Sequence, residues 1–140
     1  MTDAPQRQAA WPAPIWRWLI WFGFLLAWTL ALLTPQPVQI ADEVLPEGAQ
    51  FPAAKSLHVV AYFALTVLTG WLCASRGVRR ALLLLPTLHA CATEFFQQFV
   101  PLRTGSPMDV AIDHVGIALG LAVAWKWWRQ VFAEATGPEC

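Results

Sequence analysis

Apolar and polar residues alternate in long blocks along this chain. Four strongly apolar stretches occur, at residues 15–34, 57–75, 81–100 and 109–128. Each has about 20 residues, and an α-helix of that length, rising 1.5 Å per residue, crosses roughly 30 Å of hydrocarbon. Because unpaired backbone groups are costly in lipid, we predict an all-α membrane protein, a bundle of four transmembrane helices. The short second and third connections make consecutive helices antiparallel in this prediction.

Proline is frequent between the first two stretches. Pro35, Pro37, Pro46 and Pro52 interrupt residues 35–54, so this segment is predicted to be a loop. The first stretch is longer than the roughly 7–15 apolar residues of a signal peptide, and no small-residue cleavage pattern follows it. We therefore expect the first stretch to be retained as a membrane-spanning helix.

Composition supports one membrane domain. Hydrophobic residues make up 57% of the 140 residues and charged residues only 13%, with a mean hydropathy of +0.48. Because a soluble domain carries about 25% charged residues, we predict one domain at 15–128 between tails at 1–14 and 129–140. The net charge is zero, so no nucleic-acid partner is expected. Three cysteines have neither disulfide-framework nor metal-ligand spacing: Cys73, Cys91 and Cys140.

Basic residues are unevenly distributed between the two sides of the predicted bundle. Seven of the nine lysines and arginines fall on one side: Arg7, Arg17, Arg76, Arg79, Arg80, Lys126 and Arg129. The positive-inside rule then places both termini in the cytoplasm. Tryptophans at the same helix ends fit an interfacial belt: Trp16, Trp18, Trp21, Trp71, Trp125, Trp127 and Trp128.

Polar residues gather at the opposite, outward-facing end. Lys55, His58 and Tyr62 share one face of the second helix, because their i, i+3, i+7 spacing follows the helical repeat. Further polar residues come to the same depth from the rest of the chain: Glu94, Gln97, Gln98, Arg103, Asp109 and Asp113. Ionisable groups beside hydrocarbon are energetically costly, and they occur there when they are paired, hydrated or part of a functional site. We therefore predict a ligand-binding site open to the outer leaflet.

The sequence is consistent with two roles for these residues, namely ion pairing and proton transfer. We expect Arg103 to bridge Asp109 or Glu94, and Asp109 to be favoured by its place at a helix N-terminus. His58 and Glu94 are the candidate acid and base if the site is catalytic. The alternative is a buried ion-pair network that only locks the helices together.

Histidines and glycines outside this group are assigned packing roles. His89 is expected to make a helix–helix hydrogen bond, and His114 to face away from the site, about 100° around the helix from Asp113. Gly116 and Gly120 form a GxxxG motif, which is typical of close helix packing.

A metal centre is a weaker prediction. His58, Glu94 and Asp113 have ligand chemistry, but no compact motif such as HExxH accompanies them. We therefore predict no metal and no other cofactor from the sequence.

Two blocks of sequence resemble the VanZ-like family of small bacterial membrane proteins. The first is KSLHVVAYFAL, which matches a Lys-x-x-His-x-x-x-Tyr pattern, and the second is EFFQQFVPLRTGSPMDVAIDHVGIALG. The matching positions are Lys55, His58, Tyr62, Glu94, Gln97 or Gln98, Arg103, Asp109, Gly116 and Gly120. The chain departs from the family pattern at Ala54, where the family has Asp, and at Asp113, where it has Asn.

The resemblance implies a multi-pass protein of the bacterial cytoplasmic membrane. The family takes its name from a component of glycopeptide resistance clusters linked to teicoplanin, so the implied partner is an envelope lipid or lipopeptide head group. A membrane-embedded hydrolase or transferase and a structural module are the alternative hypotheses. A transporter is disfavoured because the sequence shows no inverted repeat, and the oligomeric state stays open.

Overall fold

Six α-helices and no strand form in the part of the chain that the computed structural model describes, residues 15–46, 48–72 and 74–132. The helices are α1 (Ile15–Leu32), α2 (Gln36–Val44), α3 (Gln50–Trp71), α4 (Arg76–Gln97), α5 (Pro107–Val123) and α6 (Trp125–Phe132). The all-α prediction is confirmed for these residues. Several predictions concern residues or side chains outside them: Arg7, Arg76, Arg79, Cys73, Cys140, the tail at 1–14 and most of the tail at 129–140.

The prediction of a loop at 35–54 was wrong, because this segment contains α2 and the start of α3. Pro35 is the N-cap residue of α2, and Pro37 lies in its first turn. Pro52 likewise falls in the first turn of α3. The first backbone N–H groups of a helix have no intrahelical acceptor, so proline costs little there. The prolines mark where these helices begin.

The fourth apolar stretch forms two helices, so the single helix predicted at 109–128 was also wrong. α5 ends at Val123, and Ala124 leaves helical geometry with φ −87° and ψ 12°. The turn directs Trp128 of α6 against α3, where Gly70 makes room for its indole. A Cβ at Gly70 would lie 2.8 Å from Trp128 Nε1, so the small residue is required for this contact.

α3 and α5 run parallel and form the most extensive helix interface. Two glycines of α5 allow this approach. A Cβ at Gly116 would overlap the carbonyl oxygen of Val59, and one at Gly120 would lie 2.7 Å from Thr66 Cβ. Close backbone approach through small residues is the usual geometry of a GxxxG interface.

α1 and α4 run antiparallel to this pair. Trp21 of α1 donates to Thr69 near the C-terminus of α3, whereas Trp28 lies beside His58 near its N-terminus. The C-termini of α1 and α4 therefore meet the N-termini of α3 and α5 at one end, called here the site end. At the opposite end Arg17 donates to the carbonyl oxygen of Trp71 at 3.2 Å.

Two of the tryptophans predicted to form an interfacial belt belong to the interior. Trp21 is 2% exposed and Trp128 is 1% exposed. Trp21 Nε1 is 2.8 Å from Thr69 Oγ1, which satisfies its polar atom inside the bundle. The belt prediction was therefore wrong for these two residues.

Buried polar side chains and exposed large apolar side chains are both frequent among the described residues. Side chains of Thr66, Thr93, Glu94, Gln97 and Asp113 are buried. Large apolar side chains cover the outside, among them Leu19, Leu26, Leu30, Leu84, Leu88 and Leu119. Within the described residues, two helices, α1 and α3, are long and apolar enough to cross a membrane by length and composition. A helix surface of this kind is suited to hydrocarbon surroundings.

Candidate functional site

Lys55 and Asp109 form an ion pair at the site end. Lys55 lies in the second turn of α3 and keeps 24% of its side chain exposed, whereas the Asp109 side chain is 9% exposed. Asp109 lies in the first turn of α5, where the unpaired N–H groups and the helix dipole favour an anion. Lys55 is therefore the partner that α3 supplies to this carboxylate.

His58 and Asp113 form a second pair one turn deeper between the same helices. His58 Nδ1 is 2.8 Å from Asp113 Oδ1, and both side chains are buried. Trp28 from α1 makes a T-shaped contact with the imidazole, with ring centroids 5.6 Å apart. The histidine is therefore held on two sides by residues from different helices.

Glu94 reaches the same region from α4 and is only 4% exposed. Its Oε2 accepts a hydrogen bond from the backbone N–H of Ser106 at 2.8 Å. Gly105 makes this possible, because a Cβ there would overlap the carbonyl oxygen of Glu94. The loop at 98–106 thus folds over the end of α4 and presents a backbone donor to the carboxylate.

Arg103 does not bridge Asp109 or Glu94 among the described residues, so that prediction was wrong. Its Nη2 donates to the carbonyl oxygen of Ala31 at 2.6 Å, and its Nε to that of Thr34 at 3.4 Å. These carbonyls end α1, where a cation is favoured by the helix dipole. The pKa of the Arg103 guanidinium is lowered by burial, and attraction to the Glu94 carboxylate offsets only part of this shift.

The two glutamines at the end of α4 have different surroundings. Gln97 is 3% exposed and follows Glu94 by one turn on the buried face of α4, whereas Gln98 is exposed. Of the two glutamines considered from the sequence, Gln97 is the one that the structure places in the interior.

Tyr62 contributes to a separate polar layer below these pairs. Its hydroxyl lies 2.9 Å from His89 Nδ1 and 3.3 Å from Thr93 Oγ1. His89 Nε2 lies 2.9 Å from Thr29 Oγ1, whose only proton is donated to the Leu25 carbonyl. His89 Nε2–H is therefore placed to donate to Thr29, and Nδ1 lies within hydrogen-bond distance of the Tyr62 hydroxyl. This is the helix–helix hydrogen bonding expected of His89.

His114 lies apart from these groups. Its Nδ1 is 2.7 Å from the carbonyl oxygen of Val110 in its own helix. The side chain is half-buried and, as expected, is not hydrogen-bonded to the pairs described above.

Five side chains from three helices thus form what we call the polar cluster: Lys55, His58, Glu94, Asp109 and Asp113. Within it, His58, Glu94 and Asp113 each offer a ligand atom, and these atoms all lie within 4.8 Å of one another. From the sequence alone we predicted no metal at this trio. The structure brings its members together from α3, α4 and α5.

An apolar cavity of about 220 Å³ adjoins the polar cluster. It lies between the end of α1, the inner face of α2 and the start of α3. Its apolar walls include Trp28, Leu32, Val38 and Leu45, and its polar walls include His58 and Arg103. His58 therefore belongs both to the polar cluster and to the cavity.

Several contributors to this region were not identified from the sequence. Gly105 and the Ser106 N–H act through the backbone, and Trp28 lies in an apolar stretch without a polar signal. The Ser-Pro pair at 106–107 was an available signal, because serine followed by proline is typical of a helix start. The Ser106 side chain does cap α5, accepting from the Met108 N–H at 3.2 Å.

The fold and the cluster define a helical membrane protein with ionisable groups enclosed between its helices. The chain belongs to the VanZ/LLP1 family, whose model matches residues 13–129. This match confirms the resemblance to VanZ-like proteins. Searches of curated proteins and of solved structures found no match.

Proposed function

We propose that this protein binds the head group of an envelope lipid or lipopeptide in its polar cluster, with apolar parts of the ligand in the adjoining cavity. One observation carries the proposal, namely that His58 lines the cavity and is paired with Asp113 at 2.8 Å in the cluster. A molecule that occupied both regions would need a polar group joined directly to an apolar one. Amphiphiles of the envelope have this construction.

The proposed membrane arrangement has four crossings, by α1, α3, α4 and α5, with both termini in the cytoplasm. Arg17, Arg80, Lys126 and Arg129 belong to helix ends or helices away from the site end. The positive-inside rule places such an end in the cytoplasm. The polar cluster and the cavity then open toward the outer leaflet of the bacterial cytoplasmic membrane, with α2 lying over them.

Two cations near the polar cluster would hold an anionic head group. Arg103 lines the cavity, which also has one acid, Asp42, in its wall, and Lys55 of the polar cluster keeps part of its side chain exposed. A guanidinium has five N–H donors, and the bonds to Ala31 and Thr34 use two of them. Asp109 and Asp113 would orient the ligand by holding Lys55 and His58 in place.

Native mass spectrometry of the full chain in detergent can test this function directly. Titration with farnesyl diphosphate, an anionic prenyl amphiphile, should give saturable binding that is weakened at least tenfold in Lys55→Ala and Arg103→Ala. Lys126→Ala is the matched control, because it removes an exposed cation elsewhere in the bundle. Ala54→Leu, which fills the cavity wall without changing a charge, should also weaken binding. Equal affinity in all four variants would refute the proposal.

A complementation experiment tests the same function in cells. Arg103→Ala and Asp109→Ala should fail to restore the envelope phenotypes of a deletion strain, including any change in teicoplanin sensitivity. Full complementation by both variants at normal protein levels would contradict an envelope role for the site. The link to glycopeptide resistance itself is supported only by family resemblance.

An enzymatic role is the second candidate, favoured by the His58–Asp113 pair. A carboxylate that orients an imidazole is a common arrangement in general acid–base catalysis. A hydrolase or transferase acting on an envelope lipid would use His58 and Glu94 as acid and base. Turnover that is lost in His58→Ala while ligand binding persists would favour this role, and absence of turnover with prenyl diphosphates and glycerophospholipids would count against it.

A further inference from the structure

We propose that His58, Glu94 and Asp113 bind one divalent metal ion between α3, α4 and α5. Each side chain comes from a different helix, and their ligand atoms lie within 4.8 Å of one another. All three side chains are buried, with residue exposures of 6%, 4% and 0%. Metal binding would not require the amphiphile of the proposed function and is a separate property of the chain.

Unpaired carboxylate oxygens give independent support for a bound cation. Glu94 Oε1 and Asp113 Oδ2 are buried and have no hydrogen-bond partner among the described residues. The other oxygen of each carboxylate is already bonded, to Ser106 N–H and to His58 Nδ1 respectively. A buried acceptor without a partner is unfavourable, and a metal ion would satisfy both.

Charge balance favours a dication in particular. Lys55 pairs with Asp109, and Arg103, although it attracts Glu94 at longer range, hydrogen-bonds to carbonyl oxygens of α1 rather than to either carboxylate of the trio. Glu94 and Asp113 are then two carboxylates with a single imidazole between them. One divalent ion with a neutral histidine neutralises both negative charges within the low-dielectric interior.

The ligand set selects a class of metal. One imidazole with two carboxylates suits Zn²⁺ or Mn²⁺, whereas Mg²⁺ and Ca²⁺ prefer oxygen ligands alone. Metal–ligand distances of roughly 2.0–2.2 Å place the ligands of a tetrahedral zinc about 3.4 Å apart. The ligand atoms of the trio lie within 4.8 Å of one another, so the widest separation needs a contraction of up to about 1.4 Å, which side-chain rotation can supply.

The surroundings of the trio resemble the outer shell of a metal site. Ligating carboxylates are usually hydrogen-bonded through their second oxygen, and Ser106 N–H already holds Glu94 in this manner at 2.8 Å. Gly105 keeps that loop in place. His58 also lines the apolar cavity, so the proposed metal site adjoins the proposed ligand pocket.

The test is zinc binding by the full-length protein purified in detergent. After removal of metals with EDTA, titration with ZnCl₂ alone should show one site per chain by calorimetry. Glu94→Gln and Asp113→Asn preserve side-chain shape and should each weaken binding more than tenfold. His114→Ala is the matched control, since this histidine is next to Asp113 in sequence and hydrogen-bonds to the Val110 carbonyl of its own helix.

The outcomes separate clearly. Loss of zinc binding in both conservative variants but not in His114→Ala would support the site. Unchanged binding in both variants, or no binding of Zn²⁺ or Mn²⁺ by the wild-type chain, would overturn it. X-ray absorption of the zinc-loaded wild-type protein needs no variant to fold. It should show nitrogen and oxygen ligands at roughly 2.0–2.2 Å, and a sulfur ligand at about 2.3 Å would overturn the assignment by indicating a cysteine.

Discussion

His58 and Asp113 are 55 positions apart in the sequence and are hydrogen-bonded at 2.8 Å across the α3–α5 interface. The pair is buried beneath the more exposed Lys55–Asp109 ion pair. Together the two pairs fix the register of two parallel helices at the end where the proposed ligand enters. Thermal unfolding of variants measures how much the two pairs contribute to stability, independently of ligand binding.

Asp113→Leu should destabilise the protein by about 1–3 kcal/mol, because it leaves a buried histidine without its partner. Asp113→Asn should cost less, since an amide can still bond to His58. Thermal unfolding in detergent, followed by circular dichroism, measures the difference. If the two variants unfold at the same temperature, the His58–Asp113 bond does not stabilise the fold.

Gly120→Ala should destabilise the α3–α5 interface by about 1–3 kcal/mol, as overpacking of a tight contact usually does. The added Cβ would lie 2.7 Å from Thr66 Cβ and 2.9 Å from the Phe63 carbonyl oxygen. Gly23→Ala is the control, because nothing lies within 4 Å of that position. It should be neutral or stabilising by up to about 1 kcal/mol, so equal destabilisation by both changes would contradict the packing role.

Gly105→Ala should displace the loop at 98–106 from Glu94. The new methyl group would overlap the Glu94 carbonyl oxygen, and the hydrogen bond from Ser106 N–H to Glu94 would be lost. Amide hydrogen exchange at Ser106 should accelerate at least tenfold while exchange within α3 stays unchanged. Protection of Ser106 equal to that of the wild-type protein would show that the bond is not formed as described.

Lys55 and Asp109 should be energetically coupled, and Arg103 and Asp109 should not. Double-mutant cycles to alanine and asparagine should give about 1 kcal/mol for the first pair and near zero for the second. The reason is that Arg103 binds carbonyl oxygens of α1 rather than the carboxylate. Strong coupling between Arg103 and Asp109 would restore the pairing first expected from the sequence.

The proposed topology predicts opposite labelling of the two ends. In a chain whose native cysteines are replaced by serine, Thr104→Cys should react with a membrane-impermeant maleimide in intact spheroplasts. Ser75→Cys, in the α3–α4 connection, should react only after permeabilisation. Both positions are exposed, so burial does not decide the result, and the reverse pattern would invert the orientation.

The sequence predicted which side chains converge better than it predicted how they pair. Helical spacing was sufficient to bring Lys55 and His58 to one face, and the short connections brought Glu94 and Asp109 to the same end. Pairing depends on distances that spacing does not define. Arg103 is near the acidic residues in sequence, yet the end of α1 offers it carbonyl oxygens from residues about 70 positions earlier.

Backbone and packing contributions were the least predictable part of the site. The bond from Ser106 N–H to Glu94 depends on the path of a loop and on the small size of Gly105. The prolines of α2 were assigned to a loop because proline is common in loops. The sequence did not show that they lie at the start of a helix, where proline is tolerated. Tryptophan is common at membrane interfaces, yet Trp21 lies in the interior, because Thr69 on α3 accepts the hydrogen bond from its indole N–H.

The parallel arrangement of α3 and α5 has a consequence for biogenesis. In the proposed topology, Lys55 and His58 enter the membrane with α3, but their carboxylate partners are 54 and 55 residues further along the chain. Until α5 is synthesised, α3 holds a lysine and a histidine that have no acidic partner from their own interface. The site is therefore complete only when α5 docks against α3. A ribosome stalled before residue 107 would leave Lys55 and His58 in the inserted α3 without their carboxylate partners.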